Sequence, residues 1–392
     1  MRLELGAATA MYKAALLIFL SSEFVHRKGD SMNDAAKYFN PLHLTQFTIA
    51  IFKQAGLPEN DAAIVAEGLV KANLRGIDSH GVSRIPMYLE RLRRGVVNPK
   101  PDMKVTRVAG AVALVDGDDG MGFISGRMGM NEALKLAAEF GIGMAGVRRS
   151  THYGMAALYV LQAIEAGYIS LALTNSSPAI PAWGGRTTFL GAAPLAAGVP
   201  GGQSEPYVLD MAMTVIARGK IRLAATHGKS IPEGLALDAE GRPTTDAKKA
   251  FEGVCLAFGG VKGAALAMLM DLLAGLYTGA NYGGDVKSLY FDHSAPQNVG
   301  HLFIAMRPDL FVSREEFEHR ADTFVERVKT LPRAAGFDEI LLPGEPEERT
   351  EQVRSRTGIP ISDKVAGELH AEAKHAGVPF PQSSPGELRL AP

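Results

Sequence analysis

Strand-like and helix-like patterns alternate through the middle of the chain, and this alternation restricts the fold more than any other feature of the sequence. Runs typical of strands occupy residues 111–115, 142–147, 169–174 and 301–305, and helical spacing occupies residues 125–140, 154–166, 264–276 and 314–331. Strands that alternate with helices form β-α-β units, in which helices pack against a sheet. We therefore predict an α/β fold.

Helical patterns also occupy both ends of the chain. Apolar residues recur at helical spacing over residues 42–73, with a break at Gly56 to Pro58, and again over residues 85–92. Residues 349–376 have a helical pattern, and we expect them to pack against the N-terminal helices. The predicted domains are a disordered extension at 1–35, a helical lobe at 36–110 that 345–392 joins, and an α/β domain at 111–344.

The N-terminal extension contains one apolar run, residues 14–20, which is too short to cross a bilayer because a spanning helix needs ~20 apolar residues. Arg2 and Lys13 before the run suggest a signal peptide as an alternative, but Glu4 does not fit that pattern. A dispensable tail fits better, and Met32 opens the stretch that leads into the first domain. We predict no membrane partner.

Charge and cysteine content exclude several classes of protein. Lys and Arg total 41 and Asp and Glu total 42, whereas a nucleic-acid-binding protein needs a basic surplus. Cys255 is the single cysteine, so a disulfide within the chain and a cysteine-based zinc cluster are excluded. The cysteine content suits a reducing cytoplasm, and no histidine pair at helical spacing suggests a metal site.

Glycine patterns do not match the two common nucleotide-binding motifs. Gly120 and Gly122 follow a predicted strand, but Gly126 comes one position late for a Rossmann fingerprint, and the next strand ends in Arg148 rather than an acid. A tight turn explains these glycines equally well, and the sequence has no P-loop motif. The Pro- and Gly-rich residues 175–206 are predicted to be ordered loops that line a site.

Asp78-Ser79-His80-Gly81 is the first candidate for chemistry. The pKa of histidine lies near neutrality, which suits proton transfer, and the Ser79 hydroxyl is placed to orient the imidazole of His80. Arg84 follows, and an arginine fork suits a substrate carboxylate. In the alternative interpretation, Asp78 or Ser79 only caps the helix that begins near Arg84, and His80 is solvated.

Three further segments each allow a functional and a structural interpretation. His152 lies at a strand-to-helix junction, where open α/β folds bind ligands, or it only packs at that turn. Asp210 lies in an apolar segment, where it orients a histidine or forms a structural ion pair. Lys262 lies on a glycine-rich turn before a helix, where it contacts a phosphate or is simply solvated.

Seven segments, in a fixed order over residues 42–379, resemble the malate/L-lactate dehydrogenase family. This family is unrelated to the Rossmann-type lactate dehydrogenases, and it includes malate, sulfolactate and ureidoglycolate dehydrogenases, diketogulonate reductase and reductases of cyclic imino acids. The matching segments are Arg75-Gly-Ile-Asp-Ser-His-Gly-Val-Ser-Arg-Ile-Pro86, Ser150-Thr-His-Tyr-Gly154, Thr174-Asn-Ser-Ser-Pro178, Ala182-Trp-Gly-Gly185, Val208-Leu-Asp-Met211, Gly259-Gly-Val-Lys-Gly263 and Leu342-Pro-Gly344.

The resemblance implies a homodimer with a non-Rossmann NAD(P)-binding fold, in which a mixed sheet with flanking helices joins a helical lobe built from both termini. It implies that His80 exchanges the proton, that Ser79 and Asp210 assist it as a relay, and that Arg84 and Asn175 bind the substrate. NAD or NADP is the implied cofactor. The implied cofactor contacts are His152, Tyr207, Val208, Leu209, Met211, Ala212, Met213, Lys262, Gly263, Glu345, Pro346 and Glu347.

The chain departs from the family pattern at Gly191-Ala-Ala-Pro194, where family members usually have Gly-Thr-Asn-Pro. We predict a cytoplasmic NAD(P)-dependent oxidoreductase that interconverts a small 2-hydroxy acid and a 2-oxo acid. Two alternatives remain open, a reductase of a cyclic 2-imino acid such as pyrroline- or piperideine-2-carboxylate, and a catalytically degenerate protein that binds NAD(P).

Overall fold

A computed structural model describes residues 36–389, and the predicted extension at 1–35 lies outside the described residues. The strands are β1 (Ala36–Phe39), β2 (Lys104–Ala109), β3 (Val112–Asp116), β4 (Ile142–Ser150), β5 (Ile169–Thr174), β6 (Pro178–Ile180), β7 (Leu190–Gly191), β8 (Leu195–Val199), β9 (Tyr207–Met211), β10 (Ala236–Leu237), β11 (Val254–Cys255), β12 (Val299–Met306), β13 (Ile359–Ser362) and β14 (Ser383–Ser384). The α-helices are α1 (Pro41–Gln54), α2 (Glu59–Leu74), α3 (Ile85–Arg93), α4 (Gly122–Phe140), α5 (Ala157–Glu165), α6 (Arg218–Thr226), α7 (Ala247–Glu252), α8 (Val261–Met270), α9 (Arg314–Lys329), α10 (Glu345–Thr357) and α11 (Asp363–Ala376).

A seven-stranded mixed sheet forms the centre of the molecule, in the order β2-β3-β4-β12-β5-β8-β9. Strands β3 and β4 run parallel, and the other neighbours within this sheet are antiparallel. Helices α4 and α5 cover one face through an apolar cluster that includes Met130, Val147, Val160 and Phe303. The predicted α/β fold with helices flanking a mixed sheet is confirmed.

Strand β8 corrects the prediction that residues 175–206 are only loops. Its Leu-Ala-Ala-Gly-Val sequence contains few residues with strand propensity, so its pattern did not indicate a strand. In the structure its small side chains admit α5 closely, because a Cβ at Gly198 would lie 3.0 Å from the Cβ of Val160. Close helix packing, rather than propensity, places this strand between β5 and β9.

A helical layer assembles from both ends of the described chain, as the end patterns predict. Helices α1, α2 and α3 share one apolar cluster with α11 and β13, which includes Phe52, Leu69, Leu89, Ile359 and Leu369. Strand β13 pairs with β1 in a small antiparallel sheet that also holds β14.

Several predicted helices have other bounds in the structure. The helix predicted at 125–140 begins at Gly122, and the helix predicted at 314–331 ends at Lys329. The predicted helix at 349–376 is divided by β13, because Gly358 has φ +88° and Pro360 cannot continue a helical ladder. The helix predicted from residue 154 begins at Ala157, since Gly154 has φ +80°. The helix predicted at 264–276 begins at Val261, and its last turns, Asp271–Leu276, form a π-helix. Among the helices in residues 36–389, none is long and apolar enough to cross a membrane.

Candidate active site

Two short 3-10 turns, Asp78–His80 and Val82–Arg84, connect α2 to α3 and carry the first candidate residues. The buried Asn73 side chain holds both turns. Its Nδ2 donates to Asp78 Oδ1 at 2.6 Å, and its Oδ1 accepts the Val82 N–H at 2.8 Å. Gly81 lies so close that a Cβ there would come within 2.1 Å of Asn73 Oδ1. The Asp78-Ser79-His80-Gly81 segment is therefore a packed turn and not a helix cap, because Arg84 occupies the N-cap position of α3.

His80 and Arg84 are joined through Ser79. The Ser79 Oγ lies 3.0 Å from His80 Nδ1, and the Ser79 carbonyl accepts the Arg84 Nε–H at 2.5 Å. Because a serine hydroxyl can donate or accept, Ser79 supports His80 in either neutral tautomer. The terminal nitrogens of Arg84 make no hydrogen bond to an oxygen among the described residues, and the guanidinium lies 5.3 Å from the ring centroid of Tyr290.

Burial and the nearby Arg84 guanidinium lower the pKa of His80 to about 4. His80 is therefore neutral at pH 7, and its Nε2 is suited to accept a proton when Nδ1–H donates to Ser79. An anionic ligand on Arg84 would offset the charge that disfavours protonated His80, and would raise the pKa of His80. The site thus couples occupancy by an acid to the basicity of its histidine.

The His152 ring lies beside and nearly parallel to the His80 ring, with 5.6 Å between the ring centroids and 17° between the ring planes. Its Nδ1 lies 2.7 Å from the Tyr88 hydroxyl and accepts the Gly154 N–H at 3.3 Å. An Nδ1 that accepts from a backbone N–H carries no proton, so neutral His152 has its proton on Nε2. Burial, and next the charge of His80, lowers the pKa of His152 well below its usual range. His152 is therefore a neutral hydrogen-bond donor beside His80.

Asp210 lies on the edge strand β9, where protein surrounds its carboxylate without closing it off from solvent. Its Oδ2 accepts the Ala157 N–H at 2.7 Å, at the start of α5. Burial is the largest cause that raises the pKa of Asp210 to about 6, and Glu347 adds to it. Within residues 36–389, Asp210 makes no hydrogen bond to Ser79 or His80, so the predicted relay has no direct contact in this arrangement.

The three segments predicted to bind the cofactor meet around β9. At its start, the Val208 N–H donates to Pro343 O at 3.0 Å, just before α10. Beyond its end, Met213 O accepts the Phe258 N–H at 3.0 Å, and Phe258 leads into the turn before α8. The structure therefore brings the Tyr207–Met213, Lys262-Gly263 and Glu345–Glu347 segments together.

The residues at the start of α8 fit a dinucleotide phosphate. Gly259 and Gly260 have φ values of +57° and +65°, and a Cβ on Gly259 would meet nothing within 4 Å, which leaves room for a ligand. Lys262 is exposed in the first turn of α8, where backbone N–H groups and the helix dipole favour an anion. Gly263 has a structural role, because a Cβ there would lie 2.0 Å from Phe258 O.

Several predicted residues have their side chains engaged by the protein. Both N–H groups of the buried Asn175 amide are used, one on Asp271 Oδ1 at 3.2 Å and one on Asn281 O at 2.6 Å. Glu345 accepts from Lys329 and from the Leu342 N–H, and Met213 is fully buried.

Ala193, in the segment that departs from the family pattern, is buried and has φ +39°. Alanine rarely adopts this left-handed region, whereas asparagine tolerates it better. The preceding carbonyl, Ala192 O, accepts the Met213 N–H at 2.8 Å. The Ala-Ala substitution therefore lies directly against the segment that follows β9.

Three residues that sequence analysis did not single out belong to this site. Tyr88 lies within the helical pattern predicted for residues 85–92, yet its hydroxyl lies 2.7 Å from His152 Nδ1, and its position one turn after Arg84 was the available signal. Tyr290 stacks on Arg84 and Arg354 contacts Asp78, but both are distant in sequence from their partners.

Comparison with known proteins identifies relatives of this chain. A family model described as Malate/L-lactate dehydrogenase matches residues 39–370. L-sulfolactate dehydrogenase of Methanocaldococcus jannaschii is 38% identical over 86% of this chain and 97% of its own. Ureidoglycolate dehydrogenase (NAD(+)) of Escherichia coli is 35% identical over 82% of this chain and 91% of its own.

Solved structures extend the comparison to the fold. The sulfolactate dehydrogenase structure from M. jannaschii has a TM-score of 0.83 at 38% identity and covers 87% of this chain and 98% of its own. The Δ1-piperideine-2-carboxylate reductase of Pseudomonas syringae has a TM-score of 0.77 at 28% identity and covers 86% of this chain and 99% of its own. These neighbours confirm the predicted fold type.

We predict that Gly81→Ala disrupts the turn that carries His80, because the new Cβ collides with the hydrogen-bonded Asn73 side chain. A misplacement of ~1 Å lowers turnover by about 100-fold, and steady-state kinetics measures the loss. Gly367→Ala is the matched control, since a Cβ there meets nothing within 4 Å. Equal activity in the two variants would contradict the packing of the turn.

Proposed function

This chain belongs to the malate/L-lactate dehydrogenase family, and from that premise we propose that it is an NAD(P)-dependent oxidoreductase that interconverts a 2-hydroxy acid and a 2-oxo acid, with His80 as the proton donor and acceptor. One observation carries the mechanistic part of the proposal. A neutral histidine and an arginine are fixed on adjacent turns through Ser79, and the terminal nitrogens of the arginine bind no oxygen of residues 36–389. A 2-hydroxy acid has its carboxylate and its hydroxyl on adjacent carbons. The carboxylate suits Arg84, and the hydroxyl suits His80.

In the direction of oxidation, Arg84 binds the substrate carboxylate and places the C2 hydroxyl at His80. His80 Nε2 accepts the hydroxyl proton while Nδ1–H donates to Ser79, as the C2 hydrogen leaves as hydride. A nicotinamide cofactor held by the segments around β9 would supply the hydride chemistry, as the acceptor in this direction and as the donor in the reverse direction. The negative charge of the substrate on Arg84 raises the pKa of His80 as the proton arrives. In reduction, protonated His80 donates to the carbonyl oxygen.

We expect His80→Ala to bind the cofactor as tightly as the unchanged enzyme and to lose turnover by about 100- to 10,000-fold, the usual contribution of a general acid-base group. Fluorescence titration with NADH and NADPH measures binding, and steady-state kinetics measures turnover. His370→Ala is the control, because His370 packs against Phe380 in the helical layer. Unchanged turnover in His80→Ala would contradict the role of His80 as the proton donor and acceptor.

We propose that Asp210 acts in its ionised form. It either assists His80 as a member of the relay with Ser79, or stabilises a positive charge near the cleft. Because burial raises its pKa to about 6, activity that needs the carboxylate is present above pH 6 and is lost as the pH falls through that value. Asp210→Asn keeps an oxygen for the Ala157 N–H and removes the charge. We expect this variant to have a lower kcat and to lose the fall in activity near pH 6 from its pH–rate profile. A fall in activity that persists in the variant would show that another group titrates there.

An exposed apolar stripe supports the proposal that the enzyme is a homodimer. Along α8 and the π-helix that follows, Val261, Met268, Leu269, Leu272 and Leu276 are all exposed on a helical spacing. Contiguous apolar surface of this kind marks an interaction site, and a second copy of the chain is the partner that we propose.

The single cysteine is buried as a free thiol, which supports the proposal of a cytoplasmic location.

We also propose the predicted division into a helical lobe, at 36–110 joined by 345–392, and an NAD(P)-binding domain at 111–344, with one change. Strand β2 (Lys104–Ala109) belongs to the central sheet, so the boundary between the two lies before β2. Separate apolar clusters support this proposal, since the helical layer and the sheet each have their own core. The start of α4, including Phe123, packs with the helical cluster and connects the two.

We predict that Leu272→Asp converts the dimer to a monomer, because a buried unpaired carboxylate opposes association. Sedimentation equilibrium measures the mass, which we expect to fall from twice the chain mass to the chain mass. Phe311→Asp is the matched control, since Phe311 is 97% exposed outside the stripe. If only Phe311→Asp dissociates, the dimer interface includes the surface around Phe311 and not the apolar stripe.

A further inference from the structure

We propose that Arg354 is a positioning residue for the catalytic turn, acting on His80 through the carboxylate of Asp78. This inference rests on the proposed function of His80. Arg354 lies in the last turn of α10, and it is 276 positions from Asp78 in the sequence. No comparison or sequence motif assigns it a role.

The contact between Arg354 and Asp78 is bidentate. Arg354 Nη1 donates to Asp78 Oδ1 at 2.7 Å, and Nη2 donates to Asp78 Oδ2 at 3.0 Å. The Nη1 group also donates to the backbone carbonyl of Asn73. A planar guanidinium in this fork fixes the direction of the carboxylate as well as its distance, which a lysine ammonium cannot do.

Asp78 connects Arg354 to the turn that carries His80 through two further hydrogen bonds. Its side chain accepts from Asn73 Nδ2 at 2.6 Å, and its carbonyl accepts the Ser83 hydroxyl at 2.8 Å. Asn73 in turn holds the Val82 N–H at 2.8 Å, so both ends of the Ser79-His80-Gly81 segment are tied to one network. Arg354 is the member of this network that comes from outside the α2–α3 connection.

Helix α10 is anchored independently of Arg354, so it can serve as a fixed support. The buried Arg75 pairs with Glu348 at 3.0 Å and with Glu351 at 3.2 Å, and Lys71 pairs with Glu351. The residues before α10 hold Val208 on the strand of the predicted cofactor site. One helix therefore extends from the cofactor strand to the catalytic turn, and Arg354 makes the contact at its far end.

The side chain of Arg354 is 16% exposed and that of Asp78 is 48% exposed. An ion pair this accessible to water contributes little to global stability. We therefore expect its loss to affect turnover more than the thermal midpoint. This separates a positioning role from a general structural one.

The experiment compares Arg354→Ala, Asp78→Ala and the double variant in the full-length enzyme. We expect each single variant to lower kcat by about 100-fold, with KM and the Kd of NADH changed less than about threefold. The double variant should lose much less than the product of the two single losses, because both single variants remove the Arg354–Asp78 contact. The losses need not be identical, since Arg354 also donates to Asn73 O and Asp78 also accepts from Asn73 Nδ2. Arg354→Lys, which keeps the charge and one hydrogen bond, should recover part of kcat.

Arg356→Ala is the matched control, since Arg356 is exposed on the same helix and has the same charge. Amide hydrogen exchange over residues 76–86 provides a readout that does not depend on turnover. We expect exchange to accelerate about tenfold or more in Arg354→Ala and to remain unchanged in Arg356→Ala.

Unchanged kcat and unchanged exchange in Arg354→Ala would overturn the inference, as would losses that add in the double variant. If the unchanged enzyme turns over no 2-hydroxy or 2-oxo acid, the proposed function fails separately. The exchange measurement then decides alone whether Arg354 holds the turn.

Discussion

The hydrogen bonds of the buried Asn73 side chain are the constraint on which the candidate site depends. The last turn of α2 projects this amide between the two 3-10 turns, where it donates to Asp78 and accepts from Val82. With both ends of the amide in use, the space beside it admits no side chain, and position 81 must be glycine. The direction of His80 therefore follows from the packing of α2 within the helical layer.

Electrostatics then sets the protonation states in the cleft. His80 and His152 are both partly exposed, and both are neutral at pH 7, since desolvation in the cleft lowers the pKa of each and Arg84 adds to the effect. Asp210 experiences the opposite effect, because burial raises the pKa of an acid. Without a bound acid, His80 is a weak base because the Arg84 guanidinium lies near it. An acid that binds Arg84 raises the pKa of His80 again. This arrangement favours proton transfer after the substrate has bound.

Local motifs predicted much of the molecule, and long-range packing accounts for what they missed. The alternation of patterns predicted the α/β fold, because apolar periodicity records which faces are buried, and the family resemblance predicted the mixed sheet. Strand β8 was missed because its role depends on the space that Gly198 leaves for α5. In the candidate site, the grouping of Ser79, His80 and Arg84 was visible in six consecutive residues. The contacts of Tyr88 with His152 and of Arg354 with Asp78 were not, since no local pattern records which distant segments fold together. The roles assigned to the site residues stay predictions that the variants above test.

Turnover on a panel of substrates tests the central claim most directly. The purified enzyme is titrated with NADH and NADPH, and cofactor oxidation is then followed with 2-oxo acids and, in parallel, with pyrroline- and piperideine-2-carboxylate. We predict binding of at least one dinucleotide and faster turnover of a 2-oxo acid than of either cyclic imine. Faster turnover of an imine would identify the reductase alternative. Binding without turnover of any substrate would contradict the proposed dehydrogenase activity and direct attention to Ala192 and Ala193.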